Sequence, residues 1–373
     1  MLPKMFLTAR LLVAALTALG AGRPALAAET PPAEAAYAAV RPMIAEQQRL
    51  VAPNAIEISE AVNLGGLPQW ITLRGTDRAN PVIVYVHGGP GAAEMGRSWP
   101  YQRSWEDFFT VVQWDQPGTG KTLRAAGEAA NRAHLTRAQM ADDLVALIAW
   151  VRQRLGVERV ILLGHSWGNV IGLDAAQRKP EWVAAYVGVG PLMNLRANEQ
   201  AQYEALLAEA RRRGDAAALA ELEAIAPYPG DGEIPFEKVN VARKWVMAWG
   251  GLAAYRSDAN FYFRAARLSP YYTDEDRRAI DAGGQLSVPA LLPDMRRVDH
   301  TAIRQVRYPV FMLLGRHDLT TPSSVIEPWL EKLQAPLKRL VWFEQSAHLA
   351  PLEEPGRFLM ALVQQVRPAA LRR

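Results

Sequence analysis

The sequence predicts an α/β fold in which a mostly parallel sheet carries helices on both faces and is interrupted by a helical insertion. Apolar, β-branched runs alternate with segments of helical period from residue 81 to residue 189. The alternation stops near residue 193, gives way to residues of mostly helical character, and returns at residue 309. Strands joined through helices pair in parallel, and the strand pattern resumes after the insertion, so one domain bearing a cap fits better than two domains in tandem. With half of its 373 residues hydrophobic and 21% charged, the chain has enough apolar surface to bury a sizeable core and to escape disorder.

Residues 1–27 read as a secretory signal peptide. Lys4 and Arg10 make a basic start, and residues 11–19 form an apolar stretch shorter than the ~20 residues of a bilayer span. Ala25-Leu26-Ala27 is a small-x-small cleavage site. Export, periplasmic or secreted, is therefore expected, without stable membrane insertion after signal cleavage. Three of the 42 basic residues leave with the signal and none of the 38 acidic ones, so the remainder is close to neutral. No basic block interleaved with aromatics points to nucleic acid. The absence of cysteine removes any disulfide framework, thiol nucleophile or cysteine zinc site.

Residues 28–55, rich in Ala, Pro and Glu, form a helical or loosely ordered lead-in. The first part of the core, 56–192, opens with a hairpin whose strands, 55–62 and 69–74, flank Gly65-Gly66. Further strands are expected at 81–86, 108–114, 160–163 and 184–189. The best-marked helix is 136–156: Thr136 and Gln139 form a capping box, Met140, Leu144, Leu147, Ile148, Val151 and Leu155 share one face, and Gly156 ends it. Another helix runs up to Lys179. Within the cap, 193–305, helices are expected at 198–213, 216–226, 236–249 and 251–268. The second part of the core, 306–373, supplies strands at 309–314 and 337–343, a helix near 323–333 and a closing helix around 356–366.

Gly164-His165-Ser166-Trp167-Gly168 stands between an apolar strand and a helix. A nucleophile there sits on a strained strand-to-helix turn, and the flanking glycines let chain segments approach where a side chain would clash. Serine needs an adjacent base, so this reading requires a later histidine and an acid between the two in chain order. His348 follows the 337–343 strand and is the expected base. Asp318 follows the 309–314 strand, at the carboxyl end of the sheet where such sites gather, and is the expected acid. Asp294 and Asp299 are weaker candidates because they lie where the cap returns to the core. An oxyanion needs backbone donors, and the loop His87-Gly88-Gly89-Pro90-Gly91 offers the N–H of Gly89 beside that of Trp167. His87, at the strand end before Ser166, reads as structural.

Two features are decoys. Gly118-Thr119-Gly120-Lys121-Thr122 imitates a phosphate loop, but the first glycine of that motif falls on Asp115, and Pro117 removes a donor. Of the eleven tryptophans most belong to the core; Trp167, Trp245 and Trp249 have positions that point to a substrate pocket.

His87 to Gly91 (HGGPG), Trp114 to Thr122 (WDQPGTGKT), Gly164 to Asn169 (GHSWGN), Gly315 to Asp318 (GRHD) and Ser346 to His348 resemble the motif series of the proline iminopeptidase (prolyl aminopeptidase) family of α/β hydrolases. The resemblance covers residues 65–192 and 306–366. It implies the α/β-hydrolase fold, a triad of Ser166, Asp318 and His348, no metal or cofactor, and a small-molecule or short-peptide substrate. The chain departs from the family where Pro117 replaces an arginine, His165 a glycine and Ala347 a glycine. The family's cap also carries a Trp-Glu-Gly motif whose glutamate holds the substrate's α-amine, and the nearest match here is Trp249-Gly250-Gly251, without the acid. Hydrolysis of an ester or amide through an acyl-serine is thus expected. The alternatives are an esterase or lactonase of neutral acyl substrates without aminopeptidase activity, and a non-catalytic binding protein on the same scaffold.

Overall fold

The computed structural model describes residues 31–372, and the expected signal peptide at 1–27 lies outside the described residues. Eight strands form one sheet in the order β1-β2-β4-β3-β5-β6-β7-β8. β1 (Ile56–Leu64) and β2 (Leu67–Gly75) make the expected antiparallel hairpin, and β2 continues antiparallel to β4 (Thr110–Trp114). β3 (Val82–Val86), β4, β5 (Val160–His165), β6 (Val183–Val189), β7 (Val310–Gly315) and β8 (Lys338–Phe343) are mutually parallel.

The sheet is covered on both faces, which is why its central strands read as unbroken apolar runs. Val82, Val84 and Val86 of β3, Val160 and Leu162 of β5, and Val310, Met312 and Leu314 of β7 enter one core cluster. The intervening Ile83, Tyr85, Ile161, Leu163, Phe311 and Leu313 enter the other, against Trp105 and Phe358. The period of two along each strand thus partitions its side chains between two cores.

The helix Arg137–Leu155 begins and ends where its caps predict: the Thr136 side chain accepts from the N–H of Gln139, and Gly156 is left-handed. Only half of the capping box forms, because the Gln139 side chain turns to Asp143 (2.8 Å) instead of back to the cap. Met140, Leu144, Leu147, Ile148 and Val151 are buried. The lead-in contains a helix, Pro31–Gln48, whose Arg41 pairs with Asp274 (2.5 Å) and donates to the carbonyl of Arg267 (2.8 Å).

Between β6 and β7 the chain is helical, with Leu195–Arg213, Ala216–Ala224 and Phe236–Ala248 close to expectation. The helix expected at 251–268 does not form. Only Asn260–Phe263 and a short turn of 3₁₀ helix, Ala265–Leu268, are helical there. The carbonyls of Gly251 and Leu252 are drawn out of any helix by the backbone N–H groups of Leu319 (3.0 Å) and His348 (3.1 Å). Conversely, sequence periodicity did not single out the helix Asp274–Met295, because Gly283, Gly284, Pro289 and Pro293 interrupt its pattern. It starts with a complete capping box between Thr273 and Asp276.

The lysine-bearing decoy loop has a structural task in holding this helix to the core. Lys121 Nζ binds the buried Asp276 (2.9 Å), which Arg124 also contacts. Thr119 Oγ1 donates to the carbonyl of Gly91 (2.7 Å), Ser287 Oγ to that of Gly118 (3.2 Å), and the hydroxyl of Tyr272 to Asp115. Asp115 is fully buried, and that burial lifts its pKa to about 7. The run around Lys121 therefore joins core, cap and the Gly88–Gly91 loop.

Candidate active site

Ser166 follows β5 and has φ 54°, the left-handed region that few non-glycine residues adopt. The turn is held by the Ser166 N–H on the carbonyl of Val189 (2.9 Å) and by the Asn169 N–H on the Ser166 carbonyl (3.0 Å). It requires glycine at 168, where a Cβ would lie 2.0 Å from the carbonyl oxygen of Val86. The helix Gly168–Arg178 starts directly beyond it, so Ser166 sits at the positive end of a helix dipole.

His348 and Asp318 are both buried, and His348 Nδ1 lies 2.8 Å from Asp318 Oδ2. The Asp318 carboxylate is fixed by three further donors: Thr321 Oγ1 at 2.9 Å on Oδ2, and the N–H groups of Thr320 and Thr321, each at 2.8 Å, on Oδ1. Ser166 and His348 line one cavity with Thr320 and Thr321. At Gly190 a Cβ would fall 2.8 Å from His348 Nδ1 and 3.0 Å from Asp318 Oδ2, so the end of β6 leaves room for the histidine–acid pair.

The loop after β3 reaches the same place. A Cβ on Gly88 would touch that of Ser166 (2.9 Å), and Gly89 and Trp167 both line the cavity. His87 is structural: Nδ1 faces the Gly88 carbonyl (2.9 Å) and Nε2 receives the N–H of Gln116 (3.3 Å). Burial lowers its pKa to about 4 and keeps it neutral. His165, which stands where the resembling family has glycine, lies with its ring 4.8 Å from that of His348. Its Nε2 is 2.9 Å from the His348 carbonyl, and burial, followed by the neighbouring His348, brings its pKa to about 3. A neutral donor at that point steadies the backbone of His348.

Asp294 and Asp299 serve elsewhere. Asp294 accepts from the Arg137 N–H (2.7 Å) at a helix start, and Asp299 from the Thr301 N–H (3.0 Å). Trp245 and Trp249, expected at the pocket, do not line it. They lie against each other at 5.1 Å, with Trp245 Nε1 on Glu221 (3.0 Å) and Arg213 over Trp249. The helix Phe236–Ala248 instead presents Val239 and Arg243, one turn apart, to the cavity, which leaves Trp245 off that face.

Sequence reasoning missed three supports. Asp318-Leu319-Thr320 was a readable side-chain turn signal, since an aspartate often accepts the N–H two residues on. Glu353 had no such signal: its carboxylate accepts from Ala347 (3.0 Å) and Leu349 (3.1 Å), on either side of His348, and from Ala254 of the cap (2.5 Å). The segment Gly251-Leu252 binds the acid loop through Leu319 and the base loop through His348. The cap and the loops that carry Asp318 and His348 are thus one hydrogen-bonded unit.

Comparison with known proteins agrees with this fold. A family model described as alpha/beta hydrolase fold matches residues 81–355. The chain belongs to the alpha/beta-hydrolase fold family. It is similar to "Probable aminopeptidase YbaC" of Bacillus subtilis (strain 168), 25% identical over 317 residues that span 84% of this chain and 97% of that protein. It is also similar to the proline iminopeptidase of Heyndrickxia coagulans, 25% identical over 283 residues, 76% of this chain and 88% of the relative. The crystal structure of a proline iminopeptidase-related protein from Thermus thermophilus superimposes with a TM-score of 0.57 at 22% identity, over 85% of this chain and 98% of that one. The α/β hydrolase resembles the proline iminopeptidases in sequence and in fold.

The cavity encloses about 160 Å³ between the sheet edge and the cap, with a mostly apolar wall. Among the described residues no group of three or more His, Asp or Glu side chains is arranged to hold a metal ion.

Proposed function

We propose that this α/β hydrolase is a serine hydrolase that cleaves an ester or amide through an acyl-Ser166 intermediate, and that it prefers acyl groups without a free α-ammonium. The observation that carries the first half is the Asp318–His348 hydrogen bond opening onto the cavity that holds the strained Ser166 elbow. In this reading His348 takes the hydroxyl proton as the bond from Ser166 Oγ to the carbonyl carbon forms, and returns it to the leaving group. The N–H groups of Gly89 and Trp167 receive the oxyanion.

The second half rests on cap electrostatics. Among the described cap acids, Glu199 alone lines the cavity, and Glu204, Glu233 and Glu237 are exposed. The Glu199 carboxylate is already engaged by Arg243 and by the hydroxyl of Tyr228. Burying a protonated amine without a free carboxylate costs several kcal/mol (roughly 3–5). The rival reading, an aminopeptidase acting on N-terminal proline, is favoured by the names of the curated relatives.

Two measurements decide between them. A fluorophosphonate probe is expected to label Ser166, and failure to label would favour a binding protein on a hydrolase scaffold. The N-acetylated analogue of prolyl-naphthylamide is expected to be cleaved with a kcat/KM at least as high as that of the free amine. A preference of about a hundredfold for the free amine, roughly 2.7 kcal/mol, would restore the aminopeptidase. Export belongs to the same proposal, on the strength of the basic, apolar and Ala25-Leu26-Ala27 pattern. The mature protein is expected to begin near Ala28; N-terminal sequencing that finds an intact Met1 segment in protein outside the cytoplasm would count against it.

A further inference from the structure

Arg97 stands on the cavity wall six residues after the Gly91 end of the glycine-rich loop, and is 2% exposed. A buried guanidinium ordinarily carries a carboxylate partner, because an unpaired buried charge is expensive. Arg97 has none in contact among the described residues. Its one hydrogen bond from the side chain runs from Nη1 to the hydroxyl of Tyr262 (3.3 Å), over whose ring the guanidinium lies at 4.8 Å, and its Nε–H is buried with no acceptor. The nearest acid of the loop, Glu94, is held apart from it: its carboxylate takes the hydroxyls of Tyr101 (2.8 Å) and Tyr262 (3.3 Å). Burial lifts Glu94 to a pKa of about 7, so near neutrality it compensates Arg97 only in part. Asp281 adds a more distant attraction from an exposed position.

The other charges on the wall cancel. Glu199 and Arg243 are paired with each other, and Arg296 pairs with the exposed Glu233. Among the described residues Arg97 is thus the wall cation without a carboxylate in contact, in a mostly apolar chamber that also holds Ser166. A guanidinium with open N–H groups matches a carboxylate in charge and geometry.

We infer that the natural substrate carries a carboxylate, bound by Arg97, at a distance from the bond that Ser166 attacks. This rests on the acyl-serine reading above and deepens it: the substrate is an ester or amide whose remote end is anionic. Arg97 does not enter the covalent steps; it selects and orients.

The test compares matched esters in two arms. In the first, the p-nitrophenyl hemiester of suberic acid is set against the same compound with its free carboxylate methylated. In the second, the carboxylate is on the leaving group, as in the octanoyl ester of 4-hydroxyphenylacetate against its methyl ester. We expect the free carboxylate to raise kcat/KM about ten- to hundredfold in one of the arms, and that arm tells which side of the scissile bond faces Arg97. In Arg97→Met the ratio should fall to near unity, and in Arg97→Lys it should be retained in part. Using the ratio cancels any change in the amount of folded enzyme, so a merely structural role, which lowers both esters alike, is distinguishable. No preference in either arm, or a preference that survives Arg97→Met, overturns the proposal. If neither ester turns over and the fluorophosphonate fails to react, the acyl-serine reading falls instead. Calorimetric titration of the protein and of Arg97→Met with free suberate then decides the role of Arg97 by itself, binding lost in the variant supporting it and equal or absent binding overturning it.

Discussion

Replacing Ser166 with alanine is expected to lower kcat on any substrate by about 10⁶-fold, because the nucleophile, the atom that His348 deprotonates, is gone. The residue left behind keeps the same backbone. Alanine at φ 54° is strained to about the same degree as serine, so the variant neither relieves nor adds backbone strain. The turn is held by main-chain hydrogen bonds to Val189 and from Asn169, neither of which involves the hydroxyl. The thermal midpoint should therefore move by no more than about 2 °C, within the ±0.5 kcal/mol of a substitution that breaks no cap, cavity or network. Steady-state kinetics and a melting curve on the same preparation check both statements. Activity within tenfold of the parent would end the triad assignment. Loss of activity with a large drop in the midpoint would mean that the hydroxyl holds the elbow together.

The fold and the chemistry were legible to different degrees, for a physical reason. Strands buried on both faces leave unbroken apolar runs in sequence, so β3, β5 and β7 were readable, and Ser166 and Asp318, which follow β5 and β7, could be singled out by where those runs end, with His348 after β8. The Arg137–Leu155 helix carried its own start and stop in Thr136 and Gly156. The cap was less legible because its elements are fixed by tertiary partners more than by local preference. Gly251 and Leu252 give their carbonyls to the N–H groups of Leu319 and His348, which no local pattern announces. The long helix Asp274–Met295 tolerates glycines because Gly283 packs on Gly118 and Thr119, a contact invisible along the chain. Trp245 and Trp249 were misplaced for the same cause: which face of the cap helix turns inward depends on how the cap sits on the sheet.

This coupling between cap and core has a consequence for specificity. The acid loop is gripped from the cap by Asn198, whose amide donates to the Thr320 carbonyl (3.0 Å), and by Gln202, which donates to that of Leu319 (2.6 Å). The same helix, Leu195–Arg213, carries Glu199 on the cavity wall. A substrate that displaced Arg243 from Glu199 would disturb the helix that positions Asp318. In the proposed function, substrate binding and the geometry around Asp318 would be linked through a single cap helix, and a charged amine would be disfavoured both by the paired carboxylate and by what its release would move.

Asp318→Asn is expected to lower kcat by about 10⁴-fold with KM little changed, a barrier increase of roughly 5 kcal/mol. The size follows from which atom must stay an acceptor. On one side of the carboxylate, the N–H groups of Thr320 and Thr321 both point at Oδ1. An asparagine there keeps its carbonyl oxygen toward these two donors, since the reverse orientation would set an NH₂ against them. Its amide nitrogen then occupies the place of Oδ2, facing His348 Nδ1 and Thr321 Oγ1. The hydroxyl of Thr321 can adapt by accepting. The imidazole can adapt only by moving its proton from Nδ1 to Nε2, and in that tautomer the nitrogen meant to deprotonate Ser166 is already protonated. The base is lost although the ring stays in place, so binding survives and turnover does not. Asp294→Asn and Asp299→Asn, which remove charge from helix starts and not from His348, should change kcat by less than about tenfold. Measuring kcat and KM for the three variants on one substrate separates the cases. If Asp294→Asn or Asp299→Asn were the one to lose about 10⁴-fold while Asp318→Asn stayed active, the acid of the triad would have to be reassigned.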